Sequence, residues 1–285
     1  MIKKIGSALA RAWRVWRGNK APGRFIKRSY ANAAGARTYK VYLPAGFSGQ
    51  ALPLVVMLHG CKQTPEDFAA GTRMNPLADE LGFIVVYPAQ ARTANLSRCW
   101  NWFGPRDQKR DEGEPSLIAG ITRQVIERYH VDAKRVYVAG LSAGGAMAAI
   151  MGATYPDLYA AVGVHSGLPY ASASDAASAL LAMRGHRNGT VVPPPAVPTI
   201  VFHGDKDDTV HPNNGAFPVD NLQSETGEAG GRRYTRTVRR GRPSLEHWLV
   251  HGAGHAWSGG HPKASYTDPS GPDATREMLR FFAIA

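Results

Sequence analysis

The first 65 residues contain no aspartate and no glutamate, although twelve lysines and arginines fall there. The rest of the chain holds 34 − 12 = 22 basic against 22 acidic residues, so the formal net charge of +12 belongs to the amino-terminal part alone. Cysteine occurs only twice, as Cys61 and Cys99, which excludes a scaffold built on disulfides. No run of 18 apolar residues appears, so no membrane-spanning helix is expected. Internal repeats are absent. So are metal-ligand clusters, a Walker loop and a dinucleotide fingerprint, and neither a metal nor a cofactor is expected.

What is present is enough for one large enzyme-sized domain. The chain has 285 residues, 44% of them hydrophobic. Residues 1–27 read as a basic extension and linker, and residues 28–285 as the body. On a helical wheel Ile2, Ile5, Leu9, Ala12, Trp13 and Trp16 share one face, with Lys3, Lys4, Ser7, Arg11 and Arg14 opposite. Such a helix lies on an anionic or apolar surface. Its basic residues are interleaved with an apolar face, which suits a surface better than a phosphate backbone, so nucleic acid is not an expected partner. No uninterrupted apolar segment follows the basic start, so the stretch does not read as a secretory signal. A mitochondrial-type presequence shares this composition and stays open.

Strand and helix patterns alternate through the body. Residues 18–36 read as linker and turn. Strands are expected at 37–43, 54–58, 83–87, 135–139, 160–164, 199–202, 234–239 and 245–250. Helices are expected at 74–81, 115–129, 145–150 and 272–283. A polar loop covers 89–114, and residues 170–197 read as a helix and loop over the top. This alternation implies an α/β class with a mostly parallel, doubly wound sheet flanked by helices. Ligand chemistry in such sheets sits at the carboxyl ends of the strands.

Gly140-Leu141-Ser142-Ala143-Gly144 stands between an expected strand and an expected helix. Glycines on both sides let the chain turn sharply and lift a serine hydroxyl above a sheet, the geometry of a nucleophile elbow. Serine is a weak nucleophile unless a base takes its proton and a carboxylate orients that base. In the α/β-hydrolase order the acid follows the serine and the histidine comes last. After the strand at 199–202 comes His203-Gly204-Asp205-Lys206-Asp207-Asp208-Thr209-Val210, whose frame selects Asp207, with Asp205 and Asp208 as alternatives. After the strand at 245–250 come His251 and His255. The Gly-Ala-Gly turn before His255 can aim its ring across the sheet, whereas His251 continues the strand. Acyl transfer also needs donors for an oxyanion. The backbone N–H groups of Ala143 and Cys61 are the candidates, with His59 bracing the second loop.

Together His59-Gly60-Cys61-Lys62-Gln63, Cys99-Trp100-Asn101-Trp102-Phe103, the serine motif at 140–145 and Gly254-His255-Ala256-Trp257-Ser258-Gly259-Gly260 resemble the polyhydroxybutyrate (PHB) depolymerase family of esterases, which includes feruloyl and acetyl-xylan esterases. The resemblance spans about residues 28–285. It implies the α/β-hydrolase fold and serine esterase activity on polyesters or plant-wall esters. It carries the nucleophile to Ser142, the acid to Asp207 and the base to His255. It also implies a Cys61–Cys99 disulfide and a substrate pocket including His59, Trp100, Trp102 and Trp257. The expected function is therefore hydrolysis of a PHB-type polyester or its oligomers. A feruloyl or acetyl-xylan esterase is the nearest alternative, and a surface-binding protein with an inactive hydrolase body is the alternative from another class. Secreted depolymerases carry an added polymer-binding domain, which has no counterpart here. The expected location is cytoplasmic, on a polyester granule or membrane through residues 2–17, with secretion as the alternative.

Overall fold

A computed structural model of the chain describes residues 21–186, 193–216 and 220–285. The expected helix at 2–17 lies outside the described residues. The elements in chain order are β1 (Arg24–Asn32), β2 (Gly35–Leu43), β3 (Leu54–Leu58), α1 (Pro65–Thr72), α2 (Met74–Leu81), β4 (Ile84–Pro88), α3 (Gly113–Tyr129), β5 (Val136–Leu141) and α4 (Ala143–Thr154). They continue as β6 (Ala161–His165), α5 (Ala176–Met183), β7 (Thr199–Gly204), β8 (Gln223–Ala229), β9 (Arg232–Arg239), β10 (Leu245–Val250), β11 (Trp257–Ser258), β12 (Thr267–Asp268) and α6 (Ala274–Phe281).

Ten strands form one sheet in the order β1-β2-β4-β3-β5-β6-β7-β10-β9-β8. The six strands from β4 to β10 run parallel, and both flanks are antiparallel. Strand alternation divides the core into two layers. Leu54, Val56 and Leu58 of β3 pack on one face with Ile118 and Val125 of α3 and Met147 of α4. Val55 and Met57 pack on the other with Phe68 of α1, Leu77 of α2 and Met278 of α6. All five β3 side chains are buried. Each large one contributes about 1.5–3 kcal/mol through removal from water. The sheet is thus mostly parallel and doubly wound.

Five elements depart from the sequence reading: β1, α1, β8 and the two-residue strands β11 and β12. Residues 24–32, read within a linker and turn, form β1, an edge strand paired along its whole length with β2. Its burial alternates only weakly, which hides it from pattern reading. It is held against α3 by Tyr30, whose ring occupies the space a side chain at Gly120 would need. Helix α1 carries a single large apolar residue, Phe68, and β8 carries none and is mostly exposed.

Candidate active site

The carboxyl ends of β3, β5, β6, β7 and β10 bring the chemistry-bearing loops together. At the end of β5, Ser142 adopts φ 57° and ψ −122°. A non-glycine residue pays about 1–3 kcal/mol for such a backbone, so the surroundings must enforce it. A Cβ at Gly140 would stand 2.3 Å from the Gly144 carbonyl oxygen, and a Cβ at Gly144 would stand 2.1 Å from the Leu58 carbonyl oxygen. Both glycines of the motif are therefore required by close backbone approach. Ser142 is half-buried at the start of α4.

Asp207 and His255 meet across the top of β7 and β10. His255 Nδ1 donates to Asp207 Oδ2 at 2.8 Å, since an ionised carboxylate can only accept. The Nε2 atom is thereby left as the basic position of the ring. Asp207 Oδ1 accepts the N–H groups of Thr209 and Val210 at 2.9 and 2.8 Å. Burial pushes the Asp207 carboxyl up, but hydrogen bonds from His203, His255 and the backbone outweigh it and hold the group well below the ordinary carboxylate range. His203, fully buried, approaches the same Oδ2 at 3.4 Å and donates to the Val210 carbonyl at 2.7 Å.

The alternatives sit differently. Asp205 pairs with His251 at 3.0 Å, and His251 Nε2 meets the Thr235 hydroxyl at 2.9 Å. Asp208 is exposed. The third contact of the expected triad is open: among the described residues Ser142 Oγ makes no hydrogen bond to His255 Nε2. A strut links the two instead. The Ser142 N–H donates to the His165 carbonyl at 2.9 Å, and His165 Nε2 accepts the Ser258 N–H at 2.9 Å, three residues beyond His255. Burial lowers the His165 pKa to about 3, keeping the ring neutral. Nothing in the residue spacing pointed to His165, which lies at the end of an ordinary buried strand.

The loop after β3 offers one unoccupied N–H. Gly60 N–H donates to Gln63 Oε1 at 2.9 Å, Lys62 N–H to the Ser97 carbonyl at 2.7 Å, and Gln63 N–H to the Gly60 carbonyl at 3.3 Å. The N–H groups of Cys61 and Ala143 make no hydrogen bond among the described residues. Cys61 and Cys99 form a disulfide with Cα atoms 4.2 Å apart, tying this loop to the tryptophan loop.

Of the four expected pocket side chains, Trp100 and Trp257 are instead buried supports, and His59 braces the loop after β3. His59 is 1% exposed; its Nε2 accepts the Gln90 N–H, so Nδ1 carries the proton and donates to the Gly60 carbonyl at 2.8 Å. Burial lowers its pKa to about 4. The Trp100 indole is fully buried and donates to the His59 carbonyl at 3.1 Å. The Trp257 indole donates to Thr275 Oγ1 at 3.0 Å and lies against His165. Their polar atoms already have partners and their faces are covered, so they shape the walls from behind. Trp102, in contact with Phe103, is also largely buried. An apolar hollow that the sequence did not indicate runs beside α4, lined by Ala149, Val164, Leu168, Tyr170 and Val201.

A buried hub fixes the tryptophan loop. Glu114 accepts from Asn101 N–H at 2.7 Å, from the Asn101 side chain at 2.9 Å and from Arg37 at 3.3 Å, and it also bonds Gln90. Burial pushes the Glu114 carboxyl up. These partners are scattered along the chain, so no motif announces them. Among the described residues no group of histidine, cysteine and carboxylate side chains could hold a metal.

The chain is similar to known esterases and polyester depolymerases. Residues 37–239 match the family model described as Esterase PHB depolymerase. The chain is 33% identical over 239 residues to poly(3-hydroxyalkanoate) depolymerase C of Paucimonas lemoignei, covering 75% of this chain and 57% of that protein. It is 41% identical over 127 residues to feruloyl esterase B of Neurospora crassa, covering 44% of this chain and 42% of that one. The chain thus spans about half the length of the curated relatives it matches. Among solved structures, acetyl xylan esterase from Aspergillus awamori superposes with a TM-score of 0.71 at 19% identity, covering 93% of this chain and 100% of that one. That likeness establishes the α/β-hydrolase fold.

Proposed function

Because the chain belongs to the Esterase PHB depolymerase family, we propose that it is a serine carboxylic ester hydrolase acting on polyhydroxyalkanoate (PHB-type) polyester or its oligomers. The observation that carries this reading is the 2.8 Å hydrogen bond between Asp207 and His255, at the same end of the parallel strands as a serine held in an elbow backbone.

His255 Nε2 accepts the Ser142 proton as the hydroxyl attacks the ester carbonyl. Asp207, ionised throughout the neutral range, stabilises the imidazolium through Nδ1. The N–H groups of Cys61 and Ala143 hold the oxyanion, each worth about 3–4 kcal/mol of barrier. The alcohol departs with the proton from His255. Water then attacks the acyl-enzyme by the same route and releases the acid. His59, Trp100 and Trp257 keep the loops in place.

The test is a hydrolysis panel of amorphous PHB, short p-nitrophenyl esters and methyl ferulate, with Ser142→Ala as control. PHB and short esters should turn over, and Ser142→Ala should not. Turnover of methyl ferulate alone would move the assignment to a plant-wall esterase, a reading favoured by the identity with feruloyl esterase B. No serine-dependent turnover of any ester would leave a binding protein with an inactive body.

Residues 2–17 are proposed to dock the enzyme on a polyester granule or membrane surface. Removing residues 1–20 should abolish co-sedimentation with granules or anionic vesicles and leave short-ester turnover intact. For location, the Cys61–Cys99 disulfide supports the secreted alternative over the cytoplasmic one, because oxidising compartments preserve such bonds. Thiol alkylation in intact cells separates the two: no label outside the cytoplasm, two labels within it.

A further inference from the structure

A second feature lies on the same rim and is not used by the chemistry above. Between the β1–β2 hairpin and the loops after β3 and β4 a polar cleft of about 350 Å³ opens, with Lys27, Lys40 and Arg98 on its walls and Gln63 and Gln90 deeper within. Lys27 and Lys40 stand directly opposite each other across the β1–β2 ladder. Like charges so placed destabilise a sheet. One carboxylate offsets them: Glu66 pairs with Lys40 at 3.1 Å. Neither Lys27 nor Arg98 has a carboxylate partner among the described residues. Among the described residues the Arg98 guanidinium donates only to the Gln63 carbonyl, at 3.4 Å. Its position is fixed, because the adjoining Cys99 is bonded to Cys61 and the Lys62 N–H donates to Ser97. Three cations against one lining acid, on a clamped framework, leave an unmet demand for an anion.

The cleft adjoins the nucleophile. A Cβ at Gly60 would lie 3.6 Å from Ser142 Cβ on one side and 3.2 Å from Gln63 Oε1 on the other. Gly60 therefore adjoins both the serine and a glutamine that lines the cleft. We propose that Lys27, Lys40 and Arg98 bind the free carboxylate of a hydroxyacid oligomer whose ester bond lies over Ser142. The inference rests on the esterase reading and deepens it: the favoured substrate is a short ester chain ending in a carboxylate, cut near that end. A guanidinium and two ammonium groups supply charge-assisted hydrogen bonds to a carboxylate, and a methyl ester removes that charge.

The experiment uses the full chain carrying Ser142→Ala, titrated calorimetrically with a 3-hydroxybutyrate trimer as the free acid and as its methyl ester. The free acid should bind about tenfold more tightly. The preference should fall when Lys27→Gln or Arg98→Gln is added, and fall further with both. Lys27 is an exposed side chain, so its substitution leaves the fold intact even if Arg98→Gln disturbs the loop. Equal binding of acid and methyl ester, or a preference unchanged by Lys27→Gln, overturns the proposal. Because binding is read without turnover, that failure is distinct from failure of the esterase reading, which the p-nitrophenyl esters judge separately.

Discussion

Two aspartate–histidine pairs link the loops after β7 and β10, and they are built for different work. In one, Asp207 is wholly buried, receives two backbone N–H groups, and holds a His255 ring that is 10% exposed. In the other, Asp205 and His251 are 30% and 34% exposed, and the far nitrogen of His251 is occupied by Thr235. The first pair leaves His255 Nε2 without a hydrogen-bond partner among the described residues. The second uses both nitrogens internally, and Asp205 also accepts the Gly252 N–H at 2.7 Å. The same two residue types thus leave a ring nitrogen open in one place and form a closed loop clasp in the other. What separates them is burial and the state of Nε2, not residue type.

Substitution should break this symmetry most sharply at the buried pair. His255→Ala is expected to lower kcat for a short p-nitrophenyl ester by about 10⁴-fold or more, and Asp207→Asn by about 10³–10⁴-fold, with little change in KM. The corresponding His251→Ala and Asp205→Asn changes belong at the far end of the scale. Steady-state kinetics on all four variants gives the comparison directly. Equal losses at both pairs would erase the distinction.

Acid stability gives an intermediate effect. Burial lowers His59 and His247 to about 4 and His165 to about 3, against an ordinary value of 6.5. Below pH 6.5 the unfolded chain takes up protons that the folded rings refuse, so stability is complete above that pH and falls as pH drops toward 3–4. Each ring costs about 1.4 kcal/mol per pH unit within its window. Tm should therefore decline steeply from pH 6.5 to 4. His165→Asn should flatten the decline.

Sequence pattern revealed the frame of the molecule and missed its supports. The continuous apolar run 54–58 and the 74–81 helix have the bounds read from the sequence, because full burial writes an unbroken signal. The edge strand β1 faces partly to solvent and the Asn-Ala-Ala-Gly turn beside it mimics a linker. At the site, the glycine-flanked elbow at Ser142 and the pairing of Asp207 with His255 were legible, because each residue sits in a short, recognisable stretch after a strand. The Glu114 hub, the His165 strut and the buried roles of Trp100 and Trp257 were not, since they arise from contacts between residues far apart in the chain. Frame and spacing favoured Asp207 over Asp205, but only the fold shows that Asp205 has a histidine of its own.

The smallest effect is reserved for that second pair. Asp205→Asn should cost about 1 kcal/mol of stability, because its hydrogen bonds are partly open to water. Its kcat should fall by no more than about threefold, since no reacting atom touches it. Urea unfolding and kinetics on one preparation measure both. A loss in the hundreds would make the clasp part of the catalytic apparatus.

The most direct measurement is fluorophosphonate labelling followed by peptide mass spectrometry. A single adduct on Ser142 is predicted, formed rapidly by the unaltered chain and by His251→Ala, and nearly abolished in His255→Ala. An adduct on another residue, or equal labelling of Ser142 with and without His255, would contradict the assignment of this serine and histidine as nucleophile and base.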